Sequence, residues 1–194
     1  MRKYEFTGET ISFWGITLKR IRAVRDFGDV KSGDLGGFIE SEDNLSHDGE
    51  AWVGENARVY ENARISDNAK IYGTAEVYED ALVLGNAEVF GYTTVCGDAR
   101  ICGNARVGGD AAVCNNAQVY GNALILDNVR IYENARIYGN AEVYENSWVH
   151  GNAEVYENAK VYGFASIYGN ARIHRNIRVS GKSWAFENEK IYYM

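Results

Sequence analysis

Asn134-Ala135-Arg136-Ile137-Tyr138-Gly139-Asn140-Ala141-Glu142-Val143-Tyr144-Glu145 reads as two copies of one unit, N-A-x-[VI]-Y-[GE]. The unit repeats without a slip in both directions, so that every sixth residue from Val53 to Val179 is Val or Ile. Two places earlier stands Ala in 18 of these 22 units, and three places later usually Asn or Asp. A helix would need apolar residues at mixed spacings of three and four. Here the Ala and the Val/Ile are two apart and their neighbours are polar or Tyr, which is strand alternation. Gly or Glu followed by Asn then turns the chain, because Gly and Asn tolerate left-handed backbone that other residues resist. A short strand and a corner, taken three times, closes a triangular coil. Stacked coils hydrogen-bond along the axis. Self-similarity this regular marks a solenoid, and the small β-branched interior suits a narrow prism.

This pattern resembles the hexapeptide repeat of the left-handed β-helix superfamily, best known from trimeric bacterial acyltransferases. The lead-in, with Asp26-Phe27-Gly28-Asp29-Val30-Lys31, Gly33-Asp34-Leu35-Gly36-Gly37-Phe38-Ile39 and Asn44-Leu45-Ser46, is similar to YdcK-like hexapeptide-repeat proteins of bacteria and their prophages. The resemblance implies an all-β, single-stranded left-handed parallel β-helix of about seven 18-residue coils. It also implies a trimer as the favoured assembly, and a transferase label that rests on fold alone.

Residues 1–50 leave the hexad register and are expected to form an amino-terminal cap with a first irregular coil. Tyr4-Glu5-Phe6, Ile11-Ser12-Phe13 and Ile16-Thr17-Leu18 read as short strands with a turn at Gly15. Leu18, Ile21 and Val24 also fit a short helix. Ile39 and Leu45, six apart, fall in phase with the Ala positions. Residues 51–180 form the helix proper. Residues 181–194, with Trp184, Phe186, Ile191, Tyr192 and Tyr193, are too apolar for a free end and should cap the last coil or cross to a neighbouring subunit.

Pro is absent, as befits strands that must donate on both sides. Net charge is −7 with both signs interspersed, which argues against a nucleic-acid partner. No apolar run reaches membrane-span length and the amino terminus lacks a signal peptide's apolar core, so a cytoplasmic protein without a membrane partner is expected. The three cysteines are read as free thiols.

With 18 residues per coil, residues 18 apart stack in one column. Two faces carry mixed-charge ladders, Lys70-Glu88-Arg106 among them. The third differs. Its column before the aliphatic position includes Thr94, Ala112, Arg130 and Trp148, and its column after it includes Cys96, Cys114, Tyr132, His150 and Tyr168. Departures from the repeat gather there as well, at Tyr92, Thr93, Val129, Ser147 and Phe164. A charge-poor strip rich in aromatics is the composition of an interface core, and broken rules mark function or assembly. Tyr92, Thr94, Cys96, Ala112, Cys114, Arg130, Tyr132, Trp148, His150, Phe164 and Tyr168 are therefore the candidate interaction face, for copies of the chain or for a host or other partner protein. Elsewhere Asn68 to Asn176 form one unbroken column, the arrangement of an amide ladder. Tyr follows the aliphatic residue in ten hexads, for ring stacking or as an aromatic partner surface.

Hexapeptide-repeat acyltransferases, by resemblance, use a His general base in a cleft between subunits, beside a loop that leaves a coil. Of His47, His150 and His174, His150 lies on the odd face and is the catalytic candidate, with acyl-CoA as the implied donor. No loop leaves the repeat between Ala51 and Val179. The γ-class carbonic anhydrases need three His at one metal, and His150 and His174, 24 apart, fall on different faces, so no metal ligands are assigned. The sequence therefore leads to a non-catalytic oligomeric scaffold or binding protein needing no cofactor, expected to be prophage-encoded and to act on a host protein through protein–protein contact, with the acyltransferase as the alternative.

Overall fold

The structure, a computed structural model, describes residues 2–187 and 191–192. From Leu35 to Ala185 the chain is a parallel β-solenoid of about eight turns. Each regular turn gives one two-residue strand to each of three sheets, so that Thr94-Val95 pairs with Glu76-Val77 on one side and Ala112-Val113 on the other. Among the described residues the sheets contain twelve, eight and seven strands. The twelve-stranded one, here the long sheet, is lengthened by the chain ends. Every Val or Ile of the series is at most 1% exposed and the Ala columns line the same interior. Such interiors punish truncation, at roughly 2–5 kcal/mol for an Ile-to-Ala change.

The corners are built differently from the sequence reading. The left-handed residue is the one two places after the aliphatic position, and where it is not Gly it is usually acidic: Glu55, Glu61, Asp67 and Glu79 have φ between 53° and 57°. Their carboxylates explain why. Each accepts the backbone N–H of the residue one turn onward: Glu55 from Gly73 at 2.8 Å, Glu61 from Glu79 at 2.9 Å, Asp67 from Gly85 at 2.9 Å. Charge-assisted hydrogen bonds of this kind offset the steric cost of left-handed backbone. The following Asn residues form the expected amide ladder, for example Asn86 to Asn104 at 3.0 Å and Asn104 to Asn122 at 2.9 Å.

At the amino end, β1 (Tyr4–Phe13) and β2 (Ile16–Ala23) form a hairpin through Trp14 and Gly15, and β2 pairs antiparallel with β3 (Leu35–Ile39). Residues 18–24 thus contain strand, not helix: Leu18 and Ile21, three apart, are buried on opposite sides of β2, Leu18 with Phe38 and Tyr60 outside the solenoid and Ile21 in its main core. The hairpin closes one edge of the long sheet, an end that would otherwise offer unpaired strand groups. It also folds over the sheet's outer surface, where Leu18, Phe38 and Tyr60 bury one another with Ile11, Phe13, Ile16 and Tyr78 packed around them.

The first turn is out of phase with the rest. Ile39 stands over Val59 and Leu45 over Ile65, a spacing of 20, so both occupy aliphatic positions rather than Ala positions. Register is regained by Trp52, which pairs with Lys70. The two additional residues fall in the corner from Ser46 to Ala51, which Lys3 ties down. Its backbone N–H donates to His47 Nδ1 at 3.3 Å, and its Nζ reaches the carbonyls of Asp48 and Gly49 at 3.4 and 3.5 Å. At the carboxyl end, Trp184–Ala185 pairs antiparallel with Ile191–Tyr192, so the tail closes the long sheet of its own chain. Tyr193 lies outside the described residues.

Candidate functional site

All eleven residues of the candidate face fall on the long sheet or on the corners leading into and out of it. Cys96 and Cys114 sit on adjacent turns of the same column, as do His150 and Tyr168. Tyr92 and Phe164, which replace the usual Asn at the preceding corner, project into solvent at 73% and 65% exposure, and Trp148 at 52%. Trp14, at the hairpin turn, is 86% exposed above the same sheet beside Tyr60 and Tyr78, and Phe186 continues the column at the far end. Among the described residues the remaining exposed large apolar side chains are Val24 and Leu35, both in the amino-terminal segment. Among the described residues the other two faces have none.

Three of the repeat violations do not belong to this surface. Thr93, Val129 and Ser147 point inward and are fully buried. Thr93 Oγ1 donates to the Phe90 carbonyl at 2.6 Å and Ser147 Oγ to that of Tyr144 at 2.8 Å, so each hydroxyl is satisfied within its own corner. They occupy Ala positions, whose side chains the alternation directs to the core. Their clustering on this face is an interior feature.

The centre of the face is a break in an aromatic column. Tyr60 and Tyr78 stack at 5.0 Å, and Tyr132 meets Trp148 edge to face at 6.5 Å. Between them stand only Cys96 and Cys114, with Thr94 and Ala112 alongside. Donors beside it, Cys114 first and then Tyr78, hold the Cys96 thiol below its ordinary range. Cys114 moves the opposite way, through the neighbouring Cys96 and then through burial. Burial raises the Tyr78 hydroxyl.

His150 lies further along the column with its ring stacked on Tyr168 at 5.4 Å, and its Nδ1 is 4.0 Å from Glu133 Oε2. His174 is on the seven-stranded sheet, stacked on Tyr156 at 5.1 Å. His47 is in the amino-terminal corner, stacked on Tyr4 at 4.3 Å and pushed down by burial, with Glu42 opposing. The three imidazoles do not converge. The other faces carry stacked tyrosines, such as Tyr120, Tyr138 and Tyr156 at 4.9 Å intervals, and in-register ion pairs, such as Arg106 with Glu88 at 2.9 Å. These are the surfaces of a solvated rod.

Against known proteins, a family model described as the YdcK β-solenoid repeat matches residues 99–115, 117–134 and 135–151. Residues 99–151 are thus similar to YdcK β-solenoid repeats. Successive matches begin at 99, 117 and 135, so one YdcK repeat is one turn of the solenoid and spans all three sheets. Among solved structures the chain is similar to the BC4754 gene product of Bacillus cereus, a presumed acetyltransferase. Identity there is 12%, with 64% of this chain and 76% of that one covered and a TM-score of 0.59. It is also similar to the acetyltransferase domain of PglB from Neisseria gonorrhoeae, in complex with acetyl coenzyme A. That match has 13% identity, covers 60% of this chain and 53% of that one, and has a TM-score of 0.43. Identities this low speak to the fold alone. No curated protein matches the chain.

Proposed function

We propose that this chain is a non-catalytic scaffold that assembles with copies of itself through the long-sheet face. One observation carries the reading: Tyr92, Trp148, Phe164, Trp14 and Phe186 are exposed on one side of the rod, whereas the other two sides bear stacked tyrosines and paired charges. A monomer rarely leaves a run of large apolar side chains in water without use. Aromatic anchors set in a charge-poor strip are the usual energetic centre of an interface. The scaffold reading takes no cofactor. Trimeric assembly and a cytoplasmic or prophage setting accompany it as expectations from the resemblance.

Trp148→Glu combined with Ala112→Glu leaves the interior untouched and should keep the circular dichroism of the parent. It should also move the sedimentation coefficient to that of a monomer. An unchanged oligomer, or a parent that is already monomeric, defeats the assembly reading.

The acyltransferase is the second reading, favoured by the His150–Glu133 approach. A carboxylate at that position would hold the imidazolium formed when His150 takes a proton from an acceptor hydroxyl or amine. Acetyl-CoA should then raise the thermal midpoint and His150→Ala should abolish acetyl transfer. No shift with acetyl-CoA favours the scaffold.

A further inference from the structure

We propose that Cys96 and Cys114 form a peroxide-responsive thiol pair at the centre of the long-sheet face, closing a reversible disulfide between adjacent turns of the solenoid. The pairing of Thr94-Val95 with Ala112-Val113 sets the two cysteines in register, and Cys96 donates its N–H to Val113 O at 3.0 Å. In-register residues of neighbouring strands have Cα atoms about 4.8 Å apart, inside the roughly 4.4–6.8 Å range of disulfides. The thiols stand one above the other on adjacent turns of one column. Both are reduced and partly exposed, and Cys102 lies on the seven-stranded sheet, away from them.

The two sulfurs differ in a way that divides the chemistry between them. Donors beside it, Cys114 and Tyr78, favour the Cys96 thiolate, whereas the neighbouring Cys96 and burial favour the protonated Cys114. Reactive thiols are those with thiolate character and access, and sensors commonly stand beside a resolving thiol. The Cys96 thiolate attacks one oxygen of hydrogen peroxide. An S–O bond forms, the O–O bond breaks, and hydroxide leaves, giving the sulfenic acid. The Cys114 sulfur then attacks the Cys96 sulfur, the S–O bond breaks, and hydroxide leaves and takes up the Cys114 proton as water. The sum is two thiols and one peroxide to one disulfide and two waters.

Stacking also makes the bond easy to reverse. Residues related by a turn keep their Cβ atoms near the same ~4.8 Å, beyond the ~3.5–4.5 Å of relaxed disulfides, and strained disulfides are the more reducible. The product places a covalent staple under the strip between Tyr78 and Tyr132. Partner contact at this face therefore becomes sensitive to oxidant.

The test treats the full chain with equimolar hydrogen peroxide, then measures intact mass and maps peptides after thiol alkylation. It is run on the wild type and on Trp148→Glu with Ala112→Glu, so that thiols covered in an assembly are told apart from unreactive ones. The expected result is a mass lower by two hydrogens, a peptide linking Cys96 to Cys114, an alkylated Cys102, and full recovery with dithiothreitol. Cys114→Ser should accumulate a dimedone-reactive sulfenic acid at Cys96, and Cys96→Ser should abolish the response. Before oxidation, iodoacetamide should label Cys96 at least ~tenfold faster than Cys114 at neutral pH. Oxidation first at Cys102, sulfinic acid at Cys96 with Cys114 still free, or equal labelling of the two thiols in both proteins each overturns the proposal.

Discussion

Gly103 tests how the corners of this solenoid are held. Its φ is +71°, and a Cβ built there would lie 2.9 Å from both the N and the O of Gly121 on the next turn. Gly103→Ala therefore meets two costs, the left-handed backbone at roughly 1–2 kcal/mol and a contact with main chain that can only shift. The smaller entropy of the unfolded Ala chain returns about 0.4–1 kcal/mol, leaving a net backbone loss of about 0–1.6 kcal/mol to which the main-chain contact adds. Gly103→Glu meets the same costs but can do what Glu55 does one corner type away, where its carboxylate accepts the N–H of Gly73 at 2.8 Å. A hydrogen bond to a charged group contributes about 1.5–3 kcal/mol when sheltered and roughly half that at an exposed corner. The Glu variant should therefore be more stable than the Ala variant by about 1 kcal/mol, despite its larger side chain. Urea titration of the three proteins at neutral pH reads this directly. A chain of this length should also show a thermal midpoint about 2–4 °C higher for Glu than for Ala. If Ala equals or exceeds Glu, the carboxylates are bystanders and acidic residues occupy these corners for another reason.

Further outcomes follow from single columns. Asn104→Ala removes amide bonds to Asn86 and Asn122 and should lower stability by about 1 kcal/mol in thermal melts, with no effect on assembly. Tyr138→Ala opens a gap between Tyr120 and Tyr156 and should cost about 1–3 kcal/mol, most of it recovered by Tyr138→Phe. Burial lowers Lys3 from 10.5 to about 8, so below that pH the folded state holds a charge it disfavours. Stability should rise from pH 8 towards 10, and Lys3→Met should remove the rise. Tyr138, raised from 10.0 to about 12 chiefly by burial, acts in the opposite sense. Its contribution is complete below pH 10 and lost as pH climbs to 12, so urea midpoints should fall across that window.

The architecture was legible because one spacing governs it. The six-residue count, with the Val/Ile and Ala columns, predicts in-register stacking at 18, and Cys96 over Cys114 or Arg130 over Trp148 follows residue by residue. The amide ladder was legible for the same reason. The first turn was not: Ile39 and Leu45 keep the six-residue spacing between themselves, and only the corner insertion at Ser46–Ala51 sets them two residues off the next turn. A local pattern cannot report an offset that lies outside it. The acidic corner brackets were missed although their signal was present, since Glu55, Glu61, Asp67 and Glu79 alternate with Gly at one position of the hexad. Seeing their role requires knowing that the next turn's N–H lies within reach. On the candidate face, alternation places Trp148 and Cys96 outward correctly. The same rule, applied to Thr93, Val129 and Ser147, sends them inward, and counting them with the surface mixed two sides of one strand. The hairpin that carries Trp14 over Tyr60 and Tyr78 depends on tertiary packing with no counterpart in the repeat.

Hydroxyl-radical footprinting of the native protein, at high concentration and again after strong dilution, measures most directly whether the long-sheet face is used. Tyr92, Trp148 and Phe164 should be protected when concentrated and react freely when dilute, while Tyr138 and Tyr144 on the other faces react alike in both. Equal reactivity of all five at every concentration would mean that the aromatic strip stays in water, and that copies of this chain do not meet there.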